Sequence, residues 1–130
     1  MIPLQKTSKS ISMHSVLPVI GYMASLRQEH FVVLTFDSKG SFINKHTVFI
    51  GSVNAVIVHP REVFACALED RATSIVVAHN HPSGDPEPSK ADRAMTQQLS
   101  NAGKVMNIRL EGHIIIGSRG HHFIEGEGGS

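Results

Sequence analysis

The stretch Thr73-Ser74-Ile75-Val76-Val77-Ala78-His79, followed by Asn80-His81-Pro82-Ser83-Gly84-Asp85-Pro86-Glu87-Pro88-Ser89 and then Lys90-Ala91-Asp92, decides how the chain is read. Residues 73–79 form a near-continuous apolar run, the pattern of a strand buried on both faces and central in its sheet. Residues 80–89 are dense in Pro, Gly, Asp and Ser and form a loop. A helix follows from about Lys90 to Ala102, with Gly103 expected as its C-cap. Residues 105–110 and 113–117 read as short strands, and 121–125 as another. Upstream, the β-branched and aromatic residues of 30–37 make a strand. Ser38-Lys39-Gly40 turns the chain, and 41–50 returns as the antiparallel partner, ending in a loop over Gly51–Asn54. Pro60 suits the first position of a helix reaching about Asp70, because its missing N–H costs nothing there. Val63, Phe64, Ala67 and Leu68 are its expected buried face. Residues 14–27 place Val16, Leu17, Ile20, Met23 and Leu26 on one helical face despite Pro18 and Gly21.

An antiparallel hairpin combined with helix–strand alternation predicts an α/β fold, a three-layer α-β-α sandwich around a mixed sheet. Residues 12–125 form one domain, preceded by a polar connector over 1–11 and followed by a flexible tail over 126–130.

With 41% hydrophobic residues in 130, the chain has enough apolar material for a core. Cys66 is its single cysteine, so no internal disulfide contributes, which suits a reducing compartment. No apolar run approaches the roughly 20 residues of a membrane span. The N-terminal lysines are not followed by the apolar segment of a signal peptide, so the expected location is cytoplasmic. The net charge of +1, with no basic run, one tyrosine and no tryptophan, argues against a nucleic-acid surface.

Histidine is the exception, with nine in the chain. His79 and His81 alternate on an extended backbone and therefore face the same side. Imidazole suits zinc, and a catalytic zinc takes three protein ligands and leaves one position open. Asp92, in the first turn of the following helix, is the expected third ligand. Pro82, Pro86 and Pro88 lower the entropy of the free loop between them. Ser89 and Asp92 also read as a helix N-cap, a role compatible with ligation. Rival metal motifs fail. A zinc deaminase needs Pro-Cys-x-x-Cys, the helical His-Glu-x-x-His string is absent, and Ser83 and Gly84 occupy the Asp and His positions of a His-x-His-x-Asp-His site.

The string His79-Asn80-His81-Pro82-Ser83-Gly84-Asp85, with Ser89 and Asp92, resembles the JAMM motif of JAB/MPN metalloproteases, and more narrowly the RadC-like branch. Gly51, His59-Pro60-Arg61-Glu62-Val63-Phe64, Ala67-Leu68, Thr96, Leu99, Ala102-Gly103 and His113-Ile114-Ile115-Ile116-Gly117 extend the similarity over roughly Ser12 to Glu125. The resemblance implies a cytidine-deaminase-like fold of the JAB/MPN type. It also implies a zinc-dependent metallopeptidase that hydrolyses a peptide or isopeptide bond in a protein or peptide substrate. Glu29, just ahead of the first strand, matches the family's general base; Glu62 and Glu69 are the competing carboxylates. Ser89 would donate to the developing oxyanion.

Two other functions fit the resemblance less well: a non-catalytic metal-binding interaction module, and a role in DNA repair or recombination suggested by the RadC name. The chain departs from the family where Leu-Asp-His is replaced by Leu110-Glu111-Gly112-His113, so any supporting role of that Asp is lost or moved to Glu111. It also lacks the family's Tyr-Ser-Phe ending and the helical region found ahead of this domain in longer members. His59 reads as a residue leading into the helix, His121 and His122 as exposed, Cys66 as a small apolar residue, and His113 as either strand core or a support to the metal site.

Overall fold

The central apolar run becomes a strand, Ser74–Asn80, in which every residue is buried. A computed structural model describes residues 11–51 and 58–126. Only Ile11 of the expected connector and Gly126 of the expected tail lie among them, and Ser52–Asn54 of the expected loop lie outside. The elements in chain order are α1 (Met13–Ile20), a 3-10 turn (Gly21–Ser25), β1 (Glu29–Phe36), β2 (Phe42–Gly51), α2 (Pro60–Glu69), β3 (Ser74–Asn80), α3 (Lys90–Met106), β4 (Arg109–Gly117) and β5 (Gly120–Glu125).

The sheet order is β2-β1-β3-β4-β5, with β3 at the centre. β1 pairs antiparallel with β2 and β3, and β4 pairs antiparallel with β5. β3 and β4 run parallel, joined by α3 as a crossover. Alternation along the strands makes two apolar layers. Phe31, Val33, Ile75, Val77 and Leu110 pack against Val63, Phe64 and Ala67 of α2 and Leu99 of α3. On the opposite face Val32, Leu34, Val76, Ala78 and Ile114 pack against Val16 and Ile20 of α1 and Met23. The predicted α-β-α sandwich with a mixed sheet is therefore the fold observed.

Several local expectations are corrected. The helix expected over 14–27 ends at Ile20 and tightens into the 3-10 turn. Pro18 removes one backbone donor and Gly21 has little helical preference, while Val16, Ile20 and Met23 keep the predicted buried stripe. Leu68 is 60% exposed, because α2 rotates it away from the face formed by Val63, Phe64 and Ala67. Gly103 is not a C-cap. The helix runs on to Met106, and Asn107 takes the left-handed conformation with φ 61°. A Cβ at Gly103 would lie 2.3 Å from the Ile108 carbonyl oxygen, so this glycine serves close packing.

The strands expected at 105–110 and 113–117 are one strand, Arg109–Gly117. Its register against β3 slips between Ile75 and Val76, so that Leu110 pairs with Ile75 and Gly112 with Val76. The extra residue, Glu111, forms a bulge that puts Leu110 and His113 on the same face of the sheet.

Candidate metal centre

The register of β1 on β3 assembles the site. Phe31 pairs with His79, so Glu29, two residues earlier, faces the same side at the end where His81 leaves β3. His81 is held in line by one further ladder bond, from its N–H to the Ile116 carbonyl at 2.9 Å. The loop then folds back onto β4. Gly84 N–H donates to His81 O at 2.9 Å, and Arg119 N–H donates to Gly84 O at 3.0 Å. Gly84 has φ +97°, a backbone angle that favours glycine, and a Cβ there would meet Ser118 Oγ at 2.6 Å unless that hydroxyl turned away.

Ser89 and Asp92 form a reciprocal capping box at the start of α3. Ser89 N–H donates to Asp92 Oδ2 at 2.9 Å, and Asp92 N–H donates to Ser89 Oγ at 3.0 Å. The cap fixes the Asp92 rotamer and turns its carboxylate toward β3. His79 Nε2 lies 3.2 Å from Asp92 Oδ1, His81 Nε2 lies 3.3 Å from Asp92 Oδ2, and the two Nε2 atoms are 3.2 Å apart. Glu29 Oε2 stands 3.5 Å from His79 Nε2. Spacing in the sequence named His79, His81 and Asp92, the family resemblance added Glu29, and the fold brings all four together. Glu62 and Glu69 sit exposed on α2 and, among the described residues, belong to no such cluster.

Metal geometry fits the donor set. A tetrahedral zinc with bonds of about 2.0–2.1 Å needs ligand atoms about 3.3–3.4 Å apart, close to the separation of the two Nε2 atoms and to the distance of each from its own oxygen of Asp92, Oδ1 for His79 and Oδ2 for His81. His81 Nδ1 donates to the Asp85 carbonyl at 2.9 Å, which leaves its Nε2 lone pair directed at the cluster when the ring is neutral. Glu29, His79 and His81 likewise form a group able to hold a metal ion, their ligand atoms within 4.8 Å of one another. Among the described residues, Glu29 Oε1 is the one buried side-chain oxygen or nitrogen without a hydrogen-bond partner. Two imidazoles and two carboxylates converging with an oxygen unsatisfied is an arrangement that a cation and water would complete.

The electrostatics follow from this crowding. Burial pushes the Glu29 carboxyl up to about 7; nearby His81 opposes the rise and Asp92 adds to it. Burial would also raise Asp92, but hydrogen bonds from His79, His81 and the Ser89 N–H outweigh it and hold the carboxyl well below its ordinary range. Asp92 in turn raises the His81 imidazole.

Sequence reasoning left one support open and missed another. His113 is wholly buried, with Nε2 2.7 Å from His79 Nδ1 and Nδ1 2.7 Å from Thr96 Oγ1. It supports the site, the second of the two readings open for it, and only the bulge at Glu111 brings it to this face. Glu111 itself turns to Arg109, 3.6 Å away. Asn80, on the opposite face, holds the approach to Glu29. Its Oδ1 accepts from His30 N–H at 2.7 Å, and its Nδ2 donates to Gln28 O at 3.0 Å. Asn80→Ala is expected to destabilise the protein by about 1–3 kcal/mol, since it removes two hydrogen bonds to partly buried backbone groups, each worth about 0.5–1.5 kcal/mol. Urea unfolding checks this, and a change below about 0.5 kcal/mol would show that the clamp is unimportant.

No helix among the described residues is long and apolar enough to cross a membrane. The family described as "RadC-like JAB domain" matches residues 11–128. A UPF0758 protein of Bacillus licheniformis is 52% identical over 101 residues, covering 78% of this chain and 45% of the relative. A UPF0758 protein of Halalkalibacterium halodurans is also 52% identical over 101 residues, covering 78% and 44%. The chain thus spans less than half the length of these curated relatives. The strand, loop and helix that carry His79, His81 and Asp92 all lie within the matched region, and the chain belongs to the RadC-like JAB domain family.

Proposed function

We propose that this domain is a zinc-dependent metallopeptidase that hydrolyses a peptide or isopeptide bond, with His79, His81 and Asp92 as metal ligands. The reading rests on one observation above all, the convergence of two imidazole Nε2 atoms 3.2 Å apart on the Asp92 carboxylate, whose Oδ1 lies 3.2 Å from His79 and whose Oδ2 lies 3.3 Å from His81. A zinc ion there supplies Lewis acidity, which makes water a usable nucleophile near neutral pH.

The remaining chemistry belongs to the chain. Glu29 is the base. Its carboxyl, raised to about 7, suits taking a proton from water and passing it to the leaving amine at neutral pH. Asp92 stays ionised and balances the charge of the site. Ser89 Oγ spends a lone pair on the Asp92 N–H, and its own hydrogen is available for the oxyanion that forms as water attacks the carbonyl. His81 is held by the Asp85 carbonyl, which keeps one side of the site in place while the substrate changes shape.

The test is a screen of peptide and isopeptide libraries with purified protein, with and without a zinc chelator. Cleavage that stops with chelator and returns with added zinc is expected. Cleavage indifferent to chelator would sink the proposal.

A further inference from the structure

Behind the metal centre, two buried side chains take no part in the chemistry above: His113 on β4 and Thr96 on α3. We propose that they are positioning residues forming a neutral hydrogen-bond relay, which holds His79 as its Nδ1–H tautomer and so presents its Nε2 lone pair to the metal. This rests on the metal reading of the site.

Counting hydrogens sets the direction of the relay. The Thr96 hydroxyl has one hydrogen and gives it to the Asp92 carbonyl at 2.8 Å, a group that can only accept. Thr96 Oγ1 must then accept from His113 Nδ1 at 2.7 Å. His113 is 0% exposed, and its two ring nitrogens bond Thr96 and His79 rather than a carboxylate. Its buried ring is neutral, so with hydrogen on Nδ1 its Nε2 is a lone pair. His79 Nδ1, 2.7 Å away, therefore donates. With His113 neutral, reversing either of its links would set two hydrogens or two lone pairs face to face. Phe31 stacks on the His79 ring at 5.9 Å and 15°, which limits its rotation.

The relay also joins the two elements that carry ligands, because Thr96 bonds the backbone of Asp92 while His113 bonds His79 on β3. A metal-bound histidine is often backed by a carboxylate, which makes it a stronger donor to the metal. Here the backing group is a neutral imidazole, so it adds no negative charge and leaves the cation more electrophilic.

The tautomers are read from long-range 1H–15N spectra of the metal-free protein at about pH 8, where free imidazole is neutral. Zinc affinity is read separately by competition with a chelating dye. The wild type should show hydrogen on Nδ1 of both His79 and His113, with His113 Nε2 bare and His79 Nε2 donating to Asp92 Oδ1, 3.2 Å away, until the metal takes that hydrogen's place. Thr96→Val should shift His79 toward Nε2–H and weaken zinc binding about 10–100-fold, and Thr96→Ser should restore both. An Nε2–H tautomer of His113 in the wild type would overturn the relay even if Thr96→Val fails to fold. So would a folded Thr96→Val variant with unchanged tautomer and affinity. Expected tautomers in a wild type that binds no zinc would support the relay and overturn the metal reading alone.

Discussion

Glu29→Gln is expected to lower kcat/KM on a cleaved substrate by about 10²–10⁴-fold while leaving one zinc per chain. Gln keeps the shape of the side chain and cannot accept the proton. Because Glu29 is not among the three proposed ligands, metal content separates loss of the base from loss of the site. The same variant should alter stability in the opposite sense. Glu29 has its carboxyl raised from 4.5 to about 7 by burial. A raised carboxyl favours the fold below its ordinary value, and that contribution is lost as pH rises through about 7. Gln does not titrate, so the metal-free variant should gain Tm relative to wild type between about pH 5 and pH 8. Full hydrolytic activity in Glu29→Gln would show that the base is another group.

Asp92→Asn should nearly abolish zinc binding yet leave the protein folded. Its amide oxygen can still accept the Ser89 N–H and retain the cap, but it brings no charge and offers one oxygen where the carboxylate offers two. The loss should exceed the 10–100-fold typical of removing an outer support. Asp92→Ala should lose the metal and also about 0.5–2 kcal/mol of stability, since the cap goes with it. Metal analysis and thermal unfolding of both variants separate the two roles. Stoichiometric zinc in Asp92→Asn would mean that Asp92 is a cap only, with Glu29, His79 and His81 as the metal-binding group.

Much of this arrangement was legible in the sequence. The near-continuous apolar run 73–79 located the central strand, Ser74–Asn80, and alternation alone placed His79 and His81 on one face. Ser89 and Asp92 were readable because a capping box and a ligand both need short polar side chains at fixed spacing. Glu29 was not readable from spacing, since its approach depends on an antiparallel register between strands more than forty residues apart; resemblance to the family supplied it. His113 stayed ambiguous because its facing depends on a bulge, and one extra residue reverses the side to which a strand residue points. The limits of α3 were misjudged because Gly103 has two uses, ending a helix or admitting a close neighbour. Only packing against Ile108 distinguishes them.

The capping box has a consequence for how such domains drift when selection on activity is relaxed. Asp92 would continue to be favoured for holding the first turn of α3, so it could outlast the chemistry in an inactive descendant. Glu29 has no such second occupation. It is a buried carboxylate with an oxygen left unsatisfied, and a mutation that neutralises it should relieve the metal-free fold. In a lineage that abandons hydrolysis, Glu29 should be among the first of these residues to decay and Asp92 among the last. Of the two, a surviving Glu29 is the better sign of a working enzyme.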